Sequence, residues 1–215
     1  TGRRFEWRGD GQEPARPGAR PALSRPGPTL AVLDCGMKRN ILRQLHANGS
    51  RLIVFPATAS PEEILAAHPD GLFVSNGPGD PRTSSYAVET IRTLLGKLPI
   101  QGICLGHQLI ALAAGAETVK LKFGHHGANH PVLHERTGKI EITSQNHNYA
   151  VTPESAEAAG FRVTHRSLFD GTVEGMMHPD LALYCVQYHP EAAPGPHDAG
   201  YLWDEFLDHL AGKVR

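Results

Sequence analysis

The sequence lacks long apolar runs and has few cysteines, and both shortages narrow what the chain can be. No hydrophobic run reaches the roughly 20 residues that a membrane-spanning helix needs, and the residues present show no secretory signal pattern. The three cysteines, Cys35, Cys104 and Cys185, are an odd number without paired spacing, so a disulfide scaffold is not expected. These absences predict a cytoplasmic protein that does not bind membranes.

The chain also lacks a large excess of positive or of negative charge. The formal net charge is −1 at pH 7, and basic residues are not interleaved with aromatic ones in the pattern typical of nucleic-acid binding. We therefore expect no nucleic-acid partner. With 215 residues, 40% of them hydrophobic, the chain can bury one sizeable core, which favours a single α/β domain.

The first 28 residues differ in composition from the rest. They hold five prolines, five glycines and six arginines against three acidic side chains. Such a segment cannot bury a core, so residues 1–28 are predicted to be a linker or disordered, and residues 29–215 to be the folded domain.

Short apolar runs alternate with amphipathic stretches along the remaining chain. This alternation predicts an α/β fold with a doubly wound, mainly parallel sheet flanked by helices on both faces. Strands are expected at residues 30–33, 52–55, 72–74, 100–104, 141–143 and 183–188, and helices at 38–48, 61–67, 86–95, 108–114 and 201–210. Ligands of such sheets bind at the carboxyl ends of the strands.

A cysteine lies at one of these strand-to-helix junctions. Cys104 stands between Gly102 and Gly106, after a strand-like run and before a helix-like run. Flanking glycines allow the sharp turn of a nucleophile elbow, and a helix N-terminus favours the thiolate. Cys104 is therefore a candidate nucleophile, although a buried structural cysteine would give the same local pattern.

Two further segments could complete such a site. His189 and Glu191 leave an extended backbone on the same face, so the carboxylate can orient an imidazole that takes the thiol proton. The turn after residues 72–76 contains Gly77 and Gly79, and the Gly77 and Leu105 N–H groups could bind an oxyanion. Each of these signals is weak by itself.

Together the segments resemble the class I, or triad, glutamine amidotransferases. Within that family the sequence closely resembles the glutamine-hydrolysing small subunits of carbamoyl-phosphate synthetases. The narrower resemblance is carried by the stretches Phe-Gly-His-His-Gly at 123–127, Ser-Gln-Asn-His-Asn-Tyr at 144–149 and Pro-Gly-Pro-His-Asp at 194–198.

The resemblance implies a flavodoxin-like architecture and a role for each matching residue. Cys104 would be the nucleophile, His189 the general base and acid, and Glu191 its orienting carboxylate. L-glutamine and the oxyanion would be held by Gly77, Gly79, Leu105, Gln108, Asn146, Asn148 and Tyr149. Where Asn148 stands the family often has glycine, and we expect asparagine to keep the backbone contact because it tolerates a left-handed φ.

The resemblance also implies partners. Ammonia would pass to a large synthetase subunit, which makes carbamoyl phosphate from bicarbonate and ATP. No cofactor is expected on this chain, and ATP and Mg²⁺ are expected on the large subunit. No metal site is expected either, because His125, His126, His130 and His134 lack zinc-site spacing. Lys38 and Arg39 are interpreted as a solvated or partner-facing pair.

The resemblance leaves two matters open. Relatives carry a further N-terminal domain, so we expect this chain to be a shortened form or fragment of a longer subunit. Two alternative functions also remain: a glutaminase for a different synthetase, such as one making guanylate, anthranilate or aminodeoxychorismate, and a non-catalytic module that keeps only the fold.

Overall fold

The computed structural model describes residues 2–11, 27–192 and 194–212. Most of the predicted linker, residues 12–26, lies outside the described residues. The strands are β1 (Phe5–Trp7), β2 (Thr29–Asp34), β3 (Arg51–Pro56), β4 (Gly71–Val74), β5 (Ile100–Ile103), β6 (Thr118–His134), β7 (Lys139–Val151), β8 (Arg162–Ser167), β9 (Val173–His178) and β10 (Leu183–Val186). The helices are α1 (Arg39–Ala47), α2 (Pro61–Leu65), α3 (Ser85–Leu94), α4 (Leu105–Ala113), α5 (Pro153–Ala158) and α6 (Leu202–Leu210), with short 3₁₀ turns at Pro81–Thr83 and Asp198–Tyr201.

Five parallel strands form the centre of the sheet, in the order β3-β2-β4-β5-β10. In chain order this is 2-1-3-4-5, the flavodoxin-like arrangement, so the predicted fold class is confirmed. From β2 the chain adds β3 on one side, and then β4, β5 and β10 on the other, so the order of strand addition reverses between β2 and β4. Ligands of doubly wound sheets bind beyond the strand ends at this switch point.

The sheet continues on one side with antiparallel strands that the sequence analysis missed or shortened. β9, β8, β6 and β7 follow β10 in that order, giving ten strands in all among the described residues. The predicted strand at 141–143 covers only three residues near the start of β7. The sheet is therefore mixed, with a parallel core.

A short strand lies at the other edge of the sheet, within the segment predicted to be a linker or disordered. Residues 5–7 form β1, which pairs antiparallel with β3. Glu6 on β1 also forms an ion pair with Arg51 at 3.0 Å. At least this part of the predicted linker is a strand.

Apolar residues on both faces of the parallel strands build two cores. Leu30 and Val32 of β2 pack with α1 and α6, whereas Ala31 and Leu33 pack with α2, α3 and α4. Strands buried on both faces must be apolar at consecutive positions, which explains the unbroken apolar runs. Among the described residues, no helix has both the length and the apolar character needed to cross a bilayer.

Candidate active site

Cys104 occupies a strained turn between β5 and α4. Its backbone has φ 55° and ψ −106°, a region that non-glycine residues rarely adopt, and it directly precedes the first helical residue. Only 4% of the residue is exposed. Strain of this kind persists where the surrounding structure enforces it and is concentrated at functional sites. The conformation matches that of a nucleophile elbow.

The two glycines that flank Cys104 are required by the packing of α4 against the sheet. A Cβ atom on Gly106 would lie 2.1 Å from the carbonyl oxygen of Val74 in β4. A Cβ on Gly102 would lie 2.7 Å from Ile110 Cδ1 and 2.9 Å from the carbonyl carbon of Gly106. All three distances are shorter than real Cβ contacts, so the elbow forms only with glycine at these positions.

His189 and Glu191 follow β10 and form a buried pair. His189 Nδ1 lies 2.7 Å from Glu191 Oε1, and both residues are at most 4% exposed. Burial works against a charge on His189, yet the Glu191 carboxylate and the Cys104 thiol raise its pKa to about 9. Its Nε2 has no hydrogen-bond partner among the described residues, which leaves that nitrogen for proton transfer.

Lys38 joins this pair, which the sequence analysis did not foresee. Its Nζ lies 3.1 Å from Glu191 Oε1, so the interpretation of Lys38 as a solvated or partner-facing cation is wrong. Burial alone would raise the pKa of Glu191, but His189 and Lys38 hold it below its ordinary value. Asn40 also donates to the Glu191 carbonyl at 2.5 Å. The start of α1 thus supports the orienting carboxylate.

Hydrogen bonds between the loops after β2 and β4 place Lys38. Asn76 Oδ1 accepts from the Lys38 backbone N–H at 3.0 Å, and Ser75 Oγ accepts from the Cys35 N–H at 2.9 Å. Asp34 Oδ1 accepts from the N–H groups of Gly36 and Met37. Neither loop shows this pairing in its own sequence.

A cavity of about 490 Å³ opens above Cys104. Nine of the ten residues assigned to the site line it, and Glu191 lies behind His189. The nine are Gly77, Gly79, Cys104, Leu105, Gln108, Asn146, Asn148, Tyr149 and His189, and Gly36, Lys38, Asn76, Pro78 and His147 line it as well. The structure therefore brings the predicted residues together, while their roles stay predictions.

A second cavity, of about 510 Å³, lies elsewhere on the surface. Charged residues such as Glu135, Arg162 and Arg166 line it, and none of its lining residues is a cysteine, serine or histidine. It offers no nucleophile, so the candidate site is the cavity above Cys104.

Gly77 lies where a side chain could not fit. A Cβ there would be 2.1 Å from the Cys35 carbonyl oxygen and 2.7 Å from Leu105 Cδ2. The Gly77 backbone is thereby held against Leu105, the residue after the nucleophile. This closeness suits the predicted pair of oxyanion donors. Gly79, in the same loop, has φ +98°.

Gln108 and Tyr149 are tied to each other across the cavity. The amide nitrogen of Gln108 donates to the Tyr149 carbonyl at 2.8 Å and to Gln187 Oε1 at 2.9 Å. Because an amide has two hydrogens, both are used, and the carbonyl oxygen of Gln108 is the atom left for a substrate. The Tyr149 ring lies 5.9 Å from the guanidinium of Arg82, which forms an ion pair with Asp80.

Successive side chains of β7 alternate between the surface and the interior. Gln145 and His147 are buried, whereas Asn146 and Asn148 are exposed. His126 of β6 has Nδ1 3.0 Å from Asn146 Oδ1 and Nε2 3.2 Å from Asn148 Oδ1. Asn148 is not among the described residues with positive φ, so its backbone makes no use of asparagine's tolerance for a left-handed conformation, and its contact to substrate stays a prediction. Its extended backbone does not require glycine.

Several curated proteins are similar to this chain over most of its length. The chain is 57% identical over 181 residues to the carbamoyl phosphate synthase small chain of Bacillus caldolyticus, covering 84% of this chain and 50% of that one. A Listeria monocytogenes protein of the same name is 54% identical, covering 87% and 52%. The pyrimidine-specific small chain of Lactiplantibacillus plantarum is 51% identical, covering 87% and 51%. The chain spans about half the length of the curated relatives that it matches.

Comparisons of fold and family give a broader group. A Thermoplasma acidophilum crystal structure, provisionally described as part of a GMP synthase, matches with a TM-score of 0.72 at 24% identity, covering 87% of this chain and 94% of that one. At that identity the likeness shows the fold alone. The profile of the family "Glutamine amidotransferase class-I" matches residues 31–209, which include the elbow, the His189–Glu191 pair and the cavity between them. The chain belongs to the class-I glutamine amidotransferase family.

Proposed function

We propose that this chain is the glutamine-hydrolysing component of a carbamoyl-phosphate synthetase. The observation that carries the proposal is the strained Cys104 elbow at the same cavity as His189, with Glu191 and Lys38 behind the imidazole. Similarity to carbamoyl phosphate synthase small chains supports the choice of synthetase.

The first half of the reaction releases ammonia. The Cys104 sulfur attacks the side-chain carboxamide carbon of L-glutamine, and the N–H groups of Gly77 and Leu105 stabilise the oxyanion. His189 carries the thiol proton and gives it to the leaving nitrogen. Ammonia leaves, and a γ-glutamyl thioester stays on Cys104.

The second half restores the thiol. His189 takes a proton from water, whose oxygen attacks the thioester carbonyl. Collapse of the second tetrahedral intermediate releases glutamate and returns the proton to the sulfur. The sum is glutamine plus water giving glutamate plus ammonia. Ammonia then passes to a large synthetase subunit, which combines it with bicarbonate and ATP. This chain itself needs no cofactor for its half-reaction, and the setting is the cytoplasm.

The test is glutamate release from glutamine, measured with the chain alone and with a carbamoyl-phosphate synthetase large subunit supplied with bicarbonate and ATP. We expect release that rises with the partner. Cys104→Ala should abolish glutamine use while ammonia-dependent synthesis by the complex persists. Cys185→Ala serves as the control, because Cys185 is buried in the core away from the cavity. Retained glutaminase activity in Cys104→Ala would overturn the proposal.

Thiol labelling separates a catalytic chain from a non-catalytic module with the same fold. Burial raises the pKa of Cys35 to about 12 and that of Cys185 well above the ordinary range, so both should react slowly. A working site predicts fast alkylation of Cys104 that glutamine prevents. Equal, slow labelling of all three cysteines would indicate a scaffold without activity.

A further inference from the structure

Three buried side chains from the antiparallel part of the sheet lie close together behind the glutamine cavity. They are His125 of β6, His147 of β7 and Glu174 of β9, and one ligand atom from each lies within 4.8 Å of the other two. Glu174 is fully buried, so its carboxylate is shielded from water. A buried carboxylate is costly unless it is paired or coordinates a cation.

The hydrogen bonds around His147 leave two acceptors facing each other. His147 Nδ1 lies 2.8 Å from the Tyr149 carbonyl oxygen, which can only accept, so Nδ1 carries the hydrogen. The lone pair of a neutral ring is then on Nε2, which faces Gln145 Oε1 at 3.0 Å. The Gln145 amide cannot simply turn round, because its nitrogen donates to Glu174 Oε2 at 2.8 Å.

His125 shows the same arrangement. Its Nε2 lies 2.9 Å from Asp170 Oδ2, which places a hydrogen on Nε2. In the neutral ring, Nδ1 then presents its lone pair to Glu174 Oε1 at 3.3 Å. Two imidazole nitrogens with lone pairs and one carboxylate oxygen thus lie within 4.8 Å of one another.

We propose that His125 Nδ1, His147 Nε2 and Glu174 Oε1 bind one divalent transition-metal cation, with Zn²⁺ the best match to the donor set. Two imidazoles and one carboxylate are a known zinc ligand set. Bonds of about 2.0–2.2 Å in a tetrahedron place ligand atoms roughly 3.3–3.6 Å apart. The 3.3 Å between His125 Nδ1 and Glu174 Oε1 fits, and the 3.9 Å between His147 Nε2 and Glu174 Oε1 requires only a small closure.

The surrounding groups form the outer shell of such a site. Metal-binding histidines usually donate their other N–H to a carboxylate or a backbone carbonyl, which fixes the tautomer. Asp170 does this for His125, and the Tyr149 carbonyl does it for His147. Gln145 Oε1, 3.0 Å from His147 Nε2, would be the fourth ligand.

Without a metal, a proton would have to lie between the two acceptors in each of these pairs, His125 Nδ1 with Glu174 Oε1 and His147 Nε2 with Gln145 Oε1. His125 would need to be an imidazolium, and either His147 would be charged or Glu174 protonated with the Gln145 amide reversed. Hydrogen bonds to Glu174 and Asp170 raise the pKa of His125, and burial raises that of Glu174, whereas burial lowers the pKa of His147 to about 3. One divalent cation satisfies all the facing acceptors at once.

The cation would join β6, β7 and β9 directly beneath the substrate residues. His147 alternates along β7 with Asn146 and Asn148, which line the cavity. Binding would therefore hold this wall of the cavity in place. The role assigned to the cation is structural, since the proposed reaction uses Cys104, His189 and Glu191 and no metal.

The experiment is a titration of the purified, chelator-treated full chain with Co²⁺ and with Zn²⁺. It is done in a Cys104→Ser background, because a reactive thiol beside His189 could itself bind these metals. We expect one equivalent of Co²⁺ to give ligand-field absorption without a sulfur-to-cobalt charge-transfer band. Zn²⁺ should displace the Co²⁺ and raise the melting temperature.

Two variants locate the site. Glu174→Gln should weaken Co²⁺ binding at least about ten-fold, and Asp170→Asn, on a more exposed side chain, by about 10–100-fold. Glu141→Gln is the matched control, since Glu141 is a buried carboxylate of β7 outside the cluster. This variant should bind Co²⁺ with the same affinity as the parent chain. Absence of stoichiometric binding, or equal affinity in Glu174→Gln, overturns the proposal. Neither result bears on glutaminase activity, which is measured separately.

Discussion

At the scale of single residues, the contact between Lys38 and Glu191 adds a cation to the His189–Glu191 pair. The Glu191 side chain has no solvent exposure, so the ammonium 3.1 Å away is its nearest counter-charge besides His189. An unpaired buried carboxylate would take up a proton more readily. Lys38 thus keeps Glu191 in the ionised form that orients the imidazole.

Replacement of Lys38 tests this role. In Lys38→Met the pKa of Glu191 should rise, so kcat for glutamine hydrolysis should fall about ten-fold, or about 1.4 kcal/mol. The acid limb of the pH–rate profile should move to higher pH. The control is Arg39→Met, the adjacent exposed cation of the same turn, which should behave like the parent chain. Equal losses in both variants would show that the effect is not specific to Glu191.

The charge of His189 leads to a second prediction at this scale. With its pKa raised to about 9, the imidazole keeps its proton through neutral pH, and it loses that proton as the pH passes about 9. We expect kcat/KM for glutamine to fall above that pH. Glu191→Gln removes the carboxylate that raises this pKa, so its alkaline limb should move towards neutral pH. An unshifted limb, measured by steady-state kinetics across pH, would contradict the assignment to His189.

The candidate triad could be predicted because each of its signals is local. Cys104 has its glycines within two residues, and Glu191 lies two residues from His189. Lys38 and Glu174 could not be found in that way. Their partners are far away in sequence, and only the sheet order brings them together.

At the scale of elements, the same distinction applies to strands. The parallel strands were predictable because their residues are apolar on both faces. The β6–β7 hairpin was not, because its buried positions include Gln145, His147 and His125. Because the buried positions are polar as well, the sequence lacks the alternation of apolar and polar residues that otherwise predicts a strand. Bulges between Lys120 and His125 and between Gly127 and His130 disturb it further.

The junction of α4 with the sheet is the element whose sequence is most restricted. In Gly106→Ala the new methyl group meets the Val74 backbone, which cannot move aside as a flexible side chain could. We expect the free energy of unfolding to fall by about 1–3 kcal/mol and glutamine hydrolysis to be lost as the elbow shifts.

Chemical denaturation and glutaminase assays on Gly106→Ala check both parts of this prediction. Gly200→Ala is the control, because a Cβ at Gly200 meets nothing within 4 Å and its φ is not positive. That variant should stay within about 0.5 kcal/mol of the parent chain. If Gly106→Ala unfolded at the same denaturant concentration as Gly200→Ala, the tight approach of α4 to β4 would be refuted.

At the scale of the whole molecule, the short strand β1 covers one edge of the ten-stranded sheet. Its three residues pair with Leu52, Ile53 and Val54 of β3. The ion pair of Arg43 with Asp10, at 2.8 Å, fastens the segment after β1 to α1. An uncovered edge of parallel core strands would present free N–H and C=O groups to other chains.

Removal of residues 1–11 should therefore affect association as well as stability. Losing three cross-strand pairs should cost about 1–2 kcal/mol of unfolding free energy, and the bared β3 should make the chain self-associate with rising concentration. Light scattering after size-exclusion chromatography measures the second effect, and denaturant unfolding measures the first. The matched control removes only residues 1–3, which leaves β1 intact and should change neither. A chain lacking residues 1–11 that stays monomeric and unfolds like the control would show that β1 is not what protects this edge.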